Sequence, residues 1–490
     1  MIKENKNFLI LLAALIVVQI IWLVLSPGFY FIDDGCHYVY NRHFYQMPHY
    51  IISSWARLGR VMLYALPAQL NYKAVQITAA IIFNLTAIFG YKILKFKNIP
   101  HPEWALLAIG FQPVLFNISF TALAELPTAF LIIFSYYLYI KGNFSWSVIV
   151  SSFTFLFRTE YFFVCGLIVL FLLFRKKWYV IPLALIGPLI WYFVSLAITG
   201  DALHIFKIFG LHSNLPRITS GIKWYHYIVF SPKTFGIVNI LFFFAAIIIL
   251  VIKKSISDWI LPLLILIGGI AGHTLAALDT FNATCSIGQI RYISVVGPML
   301  GIFSAAGIGY FLNLFKIKYI NISVFILLIL LLFASGPFLT PLHTKYEIDS
   351  VCENIASLRN QKYPDYPVMT DLYQSSVAFD MPYCDYSFFH KMNKKTLKSL
   401  DKAFIIWEAS LDGTPFTESD LMLRDLEADT TLKMIDSIKV YRDHSDDFPV
   451  NKFYNFTSER SRKIIEYLTS EQNAFENTQI KIFLKSRGND

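Results

Sequence analysis

Apolar residues occur in long runs that recur along the first two thirds of the chain, with short polar segments between them. Each run is about long enough to cross roughly 30 Å of hydrocarbon at about 1.5 Å per helical residue. The pattern therefore predicts a polytopic α-helical membrane protein with about eleven transmembrane helices. The predicted cores are residues 8–26, 72–94, 103–119, 127–140, 145–157, 161–174, 178–198, 235–252, 258–277, 292–312 and 320–339.

Two pairs of runs are short and bend back at a polar tip. One tip lies at Glu125 and the other at Arg158 to Glu160. Residues 147–174 also allow a different interpretation, a single long helix that carries a buried ion pair. We favour two spans over one.

From about residue 341 the pattern changes to short β-prone runs separated by helix-like stretches. The β-prone runs are residues 367–370, 403–407 and 438–441, and the helix-like stretches include 345–360 and 459–469. This alternation predicts a small α/β domain of about 140 residues, large enough to bury its own core. The predicted domains are thus a membrane domain, 1–340, and a soluble domain, 341–490.

Composition agrees with this division. The chain has 490 residues, of which 56% are hydrophobic and 15% charged, too apolar for one soluble core. Residues 1–340 carry 23 Lys and Arg against 9 Asp and Glu, whereas residues 341–490 carry 19 against 24. Because the excess base lies in short clusters between apolar runs, membrane orientation explains it and nucleic-acid binding is not predicted.

Alternate loops collect the positive charge, which predicts that they face the cytoplasm. The N-terminus is then cytoplasmic, and an odd number of spans places the C-terminal domain on the outer side, in the periplasm if the membrane is the bacterial inner membrane that we expect. The first run resembles a signal peptide but lacks a small-residue cleavage site, so we expect it to be retained. The basic loops contain Lys3 and Lys6; Lys92, Lys95 and Lys97; Lys141; Arg175, Lys176 and Lys177; Lys253 and Lys254; and Lys316 and Lys318.

Most acidic residues of the membrane part fall on the side opposite these basic loops. Asp33 and Asp34 come just after the first run, in the first outward loop (about 27–71), and paired carboxylates beside a bilayer suggest a functional site. A carboxylate there can accept the proton of an attacking hydroxyl as a general base. The other outward acids are Glu125, Glu160, Asp201 and Asp279.

The five cysteines show no CxxC spacing and no paired histidine, so the sequence does not support a zinc site. Cys352 and Cys384 share the C-terminal domain. On an oxidising side of the membrane they can form a disulfide, and two unpaired thiols are the alternative.

Short motifs follow one another in the outward loops and at span ends. They are Asp33-Asp34 with Tyr38; Gly59 and Arg60 with Tyr64; Ala-Glu-Leu-Pro at 124–127; Phe-Arg-Thr-Glu at 157–160; and Arg291-Tyr292 with Pro298. In this order the motifs resemble the GT-C glycosyltransferases, in particular the aminoarabinose and mannosyl transferases that use polyprenyl-phosphate sugars. Asp34 stands where relatives commonly have Glu, and Phe31-Ile32 replaces a familiar proline, which leaves the sugar open.

The resemblance implies a role for each matching residue. Asp33 would be the general base and Asp34 would orient it, while Arg158 and Arg291 would bind the lipid phosphate through planar guanidinium groups. A structural Arg158–Glu160 pair and an interfacial anchor at Arg291 are the alternatives. Residues expected to bind or support the acceptor are Glu125, Tyr38, Arg60, Tyr64 and Glu160, and further donor-phosphate candidates are Tyr292, His204 and Lys207. The segment that contains His204 and Lys207 equally fits a basic interfacial helix beside anionic lipid.

The implied activity is inverting transfer of one sugar from a polyprenyl-phosphate donor to a lipid-linked glycan, lipid or protein acceptor on the outer face of the membrane. Related enzymes generally need no divalent cation with such donors, so no metal or cofactor is expected. The alternatives are a multi-span transporter or flippase and a non-catalytic glycan-assembly protein. A transporter would place charges deep in several spans, whereas here they gather at one face.

Overall fold

The fold is described from a computed structural model. It describes residues 2–26, 28–30, 32–53, 57–204, 207, 224–277, 289–314, 347–370, 373–382, 388–410, 421–441 and 477–486. These residues pack as two compact units. The first consists of Met1–Leu25 and Pro48–Pro341, and the second of Ser26–Met47 and Leu342–Asp490.

The α-helices are numbered in chain order over the described residues. They are α1 (Ile2–Leu25), α2 (Ile32–His43), α3 (Leu58–Leu70), α4 (Tyr72–Phe96), α5 (Ala105–Gly110), α6 (Pro113–Asn117), α7 (Glu125–Ile140), α8 (Phe144–Ser152), α9 (Thr154–Phe157), α10 (Phe163–Phe174), α11 (Ile186–Thr199), α12 (His226–Val229), α13 (Ser231–Phe235), α14 (Ile237–Ile252), α15 (Ile260–Ala277), α16 (Ile290–Ser294), α17 (Gly297–Leu314), α18 (Glu347–Lys362), α19 (Tyr373–Ala378), α20 (Lys394–Ser399) and α21 (Leu423–Ala428).

The first unit contains the apolar helices expected of a membrane protein. Five described helical segments are long and apolar enough to cross a bilayer: Lys6–Leu25, Tyr72–Phe96, Trp178–Thr199, Ile256–Leu275 and Gly297–Leu314. A bent pair raises this number to six, and there are four shorter apolar helical segments: Glu125–Ile140, Phe144–Phe157, Thr159–Phe174 and Ile237–Ile252. The polytopic helical class is confirmed. Because residues 320–339 lie outside the described part, the count of eleven stays a prediction.

The predicted span 103–119 is broken. Pro102–Gly110 and Pro113–Phe120 meet at an angle of 75°. Gln112 is extended before Pro113, as expected because the proline ring disfavours helical backbone in the preceding residue. The buried Gln112 side chain donates to Gly297 O at 2.8 Å, which ties the break to α17.

Helix α17 lies in the interior of the first unit, because 78% of its residues are buried. In the most apolar part of the first span, only 17% of the residues are buried. Glycines allow this burial. A Cβ atom on Gly307 would lie 2.2 Å from Phe242 O, and one on Gly309 would lie 2.0 Å from Pro100 O. Small residues that let backbones approach closely are the usual means of packing helices in membranes.

The second unit contains a five-stranded sheet in the order β2-β1-β3-β5-β4. The first strand pairs in parallel with the second and third, and the fifth lies antiparallel between the third and fourth. The small C-terminal α/β region is thereby confirmed, and the three predicted β-prone runs fall in β1, β3 and β4. The strands are β1 (Val368–Met369), β2 (Phe389–His390), β3 (Ala403–Ser410), β4 (Leu432–Tyr441) and β5 (Asn477–Lys485).

Alternate side chains of the central strands are buried on both faces of the sheet. Phe404 and Ile406 pack with Cys352 and Ile355 of α18 on one face. On the other face, Ile405 and Trp407 pack with residues that include Leu426 of α21. The helix-like stretch 345–360 corresponds to α18, whereas 459–469 lies outside the described residues.

Residues 26–47 belong to the second unit, although the sequence places them in the membrane domain. Helix α2, which carries the acidic pair, packs on α19 of the C-terminal region. The first outward loop is therefore divided between the two units, because its second half, which includes α3, belongs to the first. The assignment of 1–340 and 341–490 as functional domains stays a prediction.

Candidate functional site

Arg158 lies at the centre of a buried set of ion pairs in the first unit. Its Nη1 atom is 2.5 Å from Glu125 Oε1, and its Nε atom donates to Glu160 Oε1 at 2.6 Å. Arg158 is 5% exposed and Glu125 is 2% exposed. One guanidinium group therefore joins the two polar tips that the hydrophobic pattern identified at Glu125 and at residues 158–160.

The local backbone places these groups where helices end. Arg158 is extended between α9 and the 3-10 turn Thr159–Phe162, so the helix is interrupted at the charged residue. Glu125 is the first residue of α7, where a negative charge favours the helix dipole. The helix breaks at Arg158 and the break contains an ion pair, while the assignment of residues 147–174 to two spans stays a prediction.

Arg57 extends the set on one side. Its Nη1 atom donates to Glu160 Oε2 and to Phe157 O, both at 3.1 Å. The residue precedes α3, and Gly59 in the first turn lets that helix approach closely, since a Cβ atom there would lie 2.6 Å from the Phe157 ring. Arg57 is not among the residues predicted from the sequence. Its position just before Gly59-Arg60 was the available signal.

Arg291 extends the set on the other side. Its Nε atom lies 3.2 Å from Glu125 Oε1, and the residue is buried. It is therefore not a surface anchor in the first unit. The Tyr292 ring lies against both guanidinium groups, with its centroid 4.3 Å from Arg158 Cζ and 5.4 Å from Arg291 Cζ, within the range of cation–π attraction.

Aromatic rings surround the ion pairs. Tyr161 donates its hydroxyl hydrogen to Tyr292 O at 2.5 Å. The buried ring of His273 lies 5.4 Å from the Tyr161 ring and 5.5 Å from the Tyr292 ring, measured between centroids. His273 is a second residue that the sequence analysis did not select. The signal was a lone imidazole within an otherwise apolar span.

We name this set the arginine–glutamate chain: Arg57, Glu160, Arg158, Glu125 and Arg291. Each carboxylate contacts two guanidinium groups. With all five groups ionised, the chain carries one more positive than negative charge. Burying charges is costly unless each is paired and hydrogen-bonded. The excess positive charge makes the arginine–glutamate chain suited to binding an anion such as a phosphate.

The acidic pair lies at the start of α2 in the second unit. Both carboxylates are in its first turn, where the helix dipole favours negative charge. Asp34 is fully buried and its Oδ2 atom accepts a hydrogen bond from the Tyr30 backbone N–H at 3.0 Å. Asp33 is only partly buried. The two carboxylates therefore differ in environment, and Asp34 helps hold the polypeptide backbone that precedes the helix.

The opposite end of α2 carries Arg42, which forms a two-point ion pair with Asp380. The Arg42 Nε atom donates to Asp380 Oδ1, and Nη2 donates to Oδ2 at 2.6 Å. The hydrogen bond from Arg42 lowers the pKa of the Asp380 carboxyl. Tyr38, one turn earlier, is hydrogen-bonded to Arg42, and burial raises the pKa of its hydroxyl.

The remaining predicted residues lie in two places. Arg60 and Tyr64 are fully buried in α3. Lys207 is largely exposed and pairs with Asp201 Oδ2 at 2.5 Å, and the His204 backbone N–H donates to Asp201 O. The arginine–glutamate chain thus brings together Glu125, Arg158, Glu160, Arg291 and the adjacent Tyr292, while His204 and Lys207 take part in contacts around Asp201.

No group of three or more His, Cys, Asp or Glu side chains within the described ranges is arranged to hold a metal ion. Cys36, Cys165 and Cys352 are buried. Cys384 lies outside the described residues, so the predicted alternatives for Cys352 and Cys384 stay open. Cys285 and Asp279 also lie outside them.

The sequence matches no family model and no curated protein. Among solved structures, the chain is similar to the crystal structure of ArnT from Cupriavidus metallidurans in the apo state, with a TM-score of 0.60. The similarity covers 83% of this chain and 94% of that chain at 10% sequence identity, so it concerns the fold. The structure thus bears out a polytopic helical membrane fold with a small C-terminal sheet region, and the chain shares this fold with ArnT.

Proposed function

We propose that the protein is a membrane glycosyltransferase that moves one sugar from a polyprenyl-phosphate donor to an acceptor hydroxyl. The observation that carries this proposal is the arginine–glutamate chain, a buried charged site with excess positive charge in a fold shared with ArnT. A phosphate that remains attached to a lipid is an anion suited to such a site within membrane helices. The donor and the acceptor lipid are the proposed partners.

The proposed role of Arg158 and Arg291 is to bind the donor phosphate. Departure of the sugar leaves additional negative charge on the phosphate oxygen, and fixed guanidinium groups stabilise that charge. Glu125 contacts both arginines and is nearly inaccessible, which supports a role in holding them in place. Tyr292, whose ring lies against both guanidinium groups, keeps their planes in a fixed orientation.

The proposed general base is Asp33. It would take the proton of the acceptor hydroxyl while the hydroxyl oxygen attacks the sugar C1 atom and the bond from C1 to the phosphate oxygen breaks, with inversion at C1. Its partly buried position supports this role, whereas the buried Asp34 carboxylate accepts the Tyr30 N–H and supports the turn. Glu125 and Glu160 are each paired with two guanidinium groups, which suits them poorly to accept a proton.

A transfer assay tests the proposal. Purified protein in lipid nanodiscs is incubated with radiolabelled polyprenyl-phosphate sugars of several kinds and with extracted bacterial membrane lipids. Movement of the label into an acceptor is expected, with release of the polyprenyl phosphate. A thermal unfolding transition shows that the purified protein is folded. If the folded protein transfers no sugar from any donor, the proposal is contradicted.

The proposed location is the bacterial inner membrane, with the N-terminus in the cytoplasm and the C-terminal region on the outer side. Two loops that are predicted to face the cytoplasm are in contact within the first unit, because Lys97 Nζ donates to Asp258 O at 2.9 Å. This contact supports placing both loops on the same side of the membrane. Topology is measured by labelling single introduced cysteines in intact cells. A C-terminal residue labelled only after lysis would contradict it.

A further inference from the structure

Helix α2 has a different chemical group at each of its ends. Asp33 and Asp34 are in the first turn, and Arg42 and His43 are in the last. At about 1.5 Å per residue, roughly 13 Å of helix axis separates Asp33 from Arg42. An α-helix of this length moves largely as a rigid body, so a constraint at one end sets the position of the other.

The constraint at the far end comes from a residue distant in the sequence. Asp380 follows α19 and is 338 residues from Arg42, and both its carboxylate oxygens accept from the Arg42 guanidinium group. Two parallel hydrogen bonds fix orientation as well as distance. Asp380 itself has a positive φ of 51°, a conformation that non-glycine residues rarely adopt, so its side chain projects from a tight turn after α19.

Neighbouring groups on the same helix support the pair. His43 Nε2 lies 3.5 Å from Asp380 Oδ1, and its Nδ1 lies 3.2 Å from Gln46 Oε1. Tyr38 is hydrogen-bonded to Arg42 from one turn earlier. Three side chains of residues 38–43 therefore converge on the connection to Asp380.

We propose that the Arg42–Asp380 pair is a latch by which the C-terminal region positions α2 and hence the Asp33 carboxylate. In this arrangement Arg42 and Asp380 are positioning residues. The catalytic part of the inference rests on the proposed function, whereas the latch itself does not. A soluble region that follows the membrane helices would thereby control a group in the N-terminal loop.

Cys36 is a native probe of the latch because it is buried within α2. In the full-length protein, the rate of maleimide labelling at Cys36 is measured by peptide mass spectrometry for the wild type and for Asp380→Asn. Loss of a two-point pair should raise the rate about fivefold. Labelling at Cys165, which is buried in α10 of the first unit, should not change.

A matched control breaks another ion pair of the second unit. Lys481 of β5 and Glu427 of α21 lie 2.6 Å apart, and Glu427→Gln should leave Cys36 labelling at the wild-type rate. Exchange of the two latch residues, Arg42→Asp with Asp380→Arg, should bring the labelling rate back toward that of the wild type. Unchanged Cys36 labelling in Asp380→Asn, or an equal rise in Glu427→Gln, would overturn the latch.

The kinetic test separates positioning from general stability. Small displacements of a catalytic group can lower a rate by about 10²-fold, so kcat of Asp380→Asn should fall at least about tenfold while KM for the donor stays near the wild-type value. Asp380→Glu, which keeps the charge, should recover part of kcat. Equal kcat in the wild type and Asp380→Asn would overturn the positioning role. If the wild type transfers no sugar, the proposed function fails, and Cys36 labelling still decides whether the latch exists.

Discussion

The arginine–glutamate chain of the first unit and helix α2 of the second use the same residue types in opposite ways. In the chain, two carboxylates lie among three guanidinium groups, and the pairs are largely buried. On α2, the acids are at one end and the arginine at the other, and the ion pair of that arginine is with an exposed aspartate.

This contrast indicates which acids can exchange a proton. A buried carboxylate held by two cations is kept ionised, because each cation favours the charged form. A carboxylate at a partly exposed helix start remains accessible to a substrate. The first arrangement suits a permanent anion site and the second suits a base, which is why the proposed roles divide as they do.

The largest expected effect is on the base. Asp33→Asn removes the proton acceptor with little change in shape, and kcat for sugar transfer should fall by about 10²- to 10⁴-fold. Initial rates with a radiolabelled donor measure it. Asp365→Asn, the same change at an exposed position of the second unit, should keep normal turnover. Near-normal rates in Asp33→Asn would reject the assignment.

Glu125→Gln tests the structural role of the arginine–glutamate chain. Two buried guanidinium groups would lose a shared counter-charge, and breaking a buried pair typically costs about 3–5 kcal/mol. The midpoint temperature of thermal unfolding, measured in detergent micelles, should therefore be lower in Glu125→Gln than in the wild type. Glu427→Gln, at a surface pair, should cost no more than about 1 kcal/mol. Equal midpoints for the two variants would remove the distinction between buried and exposed pairs.

Arg291→Lys tests phosphate recognition. Lysine keeps the positive charge but lacks the planar two-point donor geometry of a guanidinium group. KM for the donor should rise about tenfold, as expected when one charge-assisted hydrogen bond is lost, with a smaller change in kcat. The control is Arg175→Lys, because Arg175 also lies over a tyrosine ring, that of Tyr139, at 5.0 Å. A similar rise in KM in both variants would argue against a phosphate role for Arg291.

The smallest effect is the pH dependence of the Arg42–Asp380 pair. The pKa of Asp380 is lowered in the folded protein, first by its hydrogen bond from Arg42. Its stabilising contribution is therefore present above the pKa of an unfolded aspartate and is lost as the pH falls through the lower folded value. The difference in thermal midpoint between wild type and Asp380→Asn should shrink as the medium is acidified. A difference that grows on acidification would have the wrong sign.

Much of the fold followed from local pattern. Long apolar runs gave the helices of the first unit, and the charged interruptions at Glu125 and Arg158 marked where helices begin or break. The β-prone runs gave β1, β3 and β4. Strand β5 was not predicted, although it pairs with both β3 and β4, because its apolar residues are confined to a short run from Ile480 to Leu484 that Lys481 interrupts.

The candidate site was only partly visible in the sequence. Glu125, Arg158 and Arg291 stood out because charges are rare in apolar runs. Arg57 did not, since its partner Glu160 is 103 residues away, and it is one of three arginines in a loop rich in aromatic residues, a composition typical of an interfacial segment. His273 was a lone imidazole in a span, and its ring contacts come from residues on other helices.

Local sequence was enough to predict the class of the protein and the residues at which charge interrupts apolar segments, because hydrophobicity and its period are properties of neighbouring positions. Packing between distant segments brings Arg158 and Arg291 to Glu125, Arg57 to Glu160, and Arg42 to Asp380. These pairings join residues far apart in the chain, so no local pattern predicts them. In the first unit the paired groups are also largely buried, where a charge is costly unless another charge compensates it.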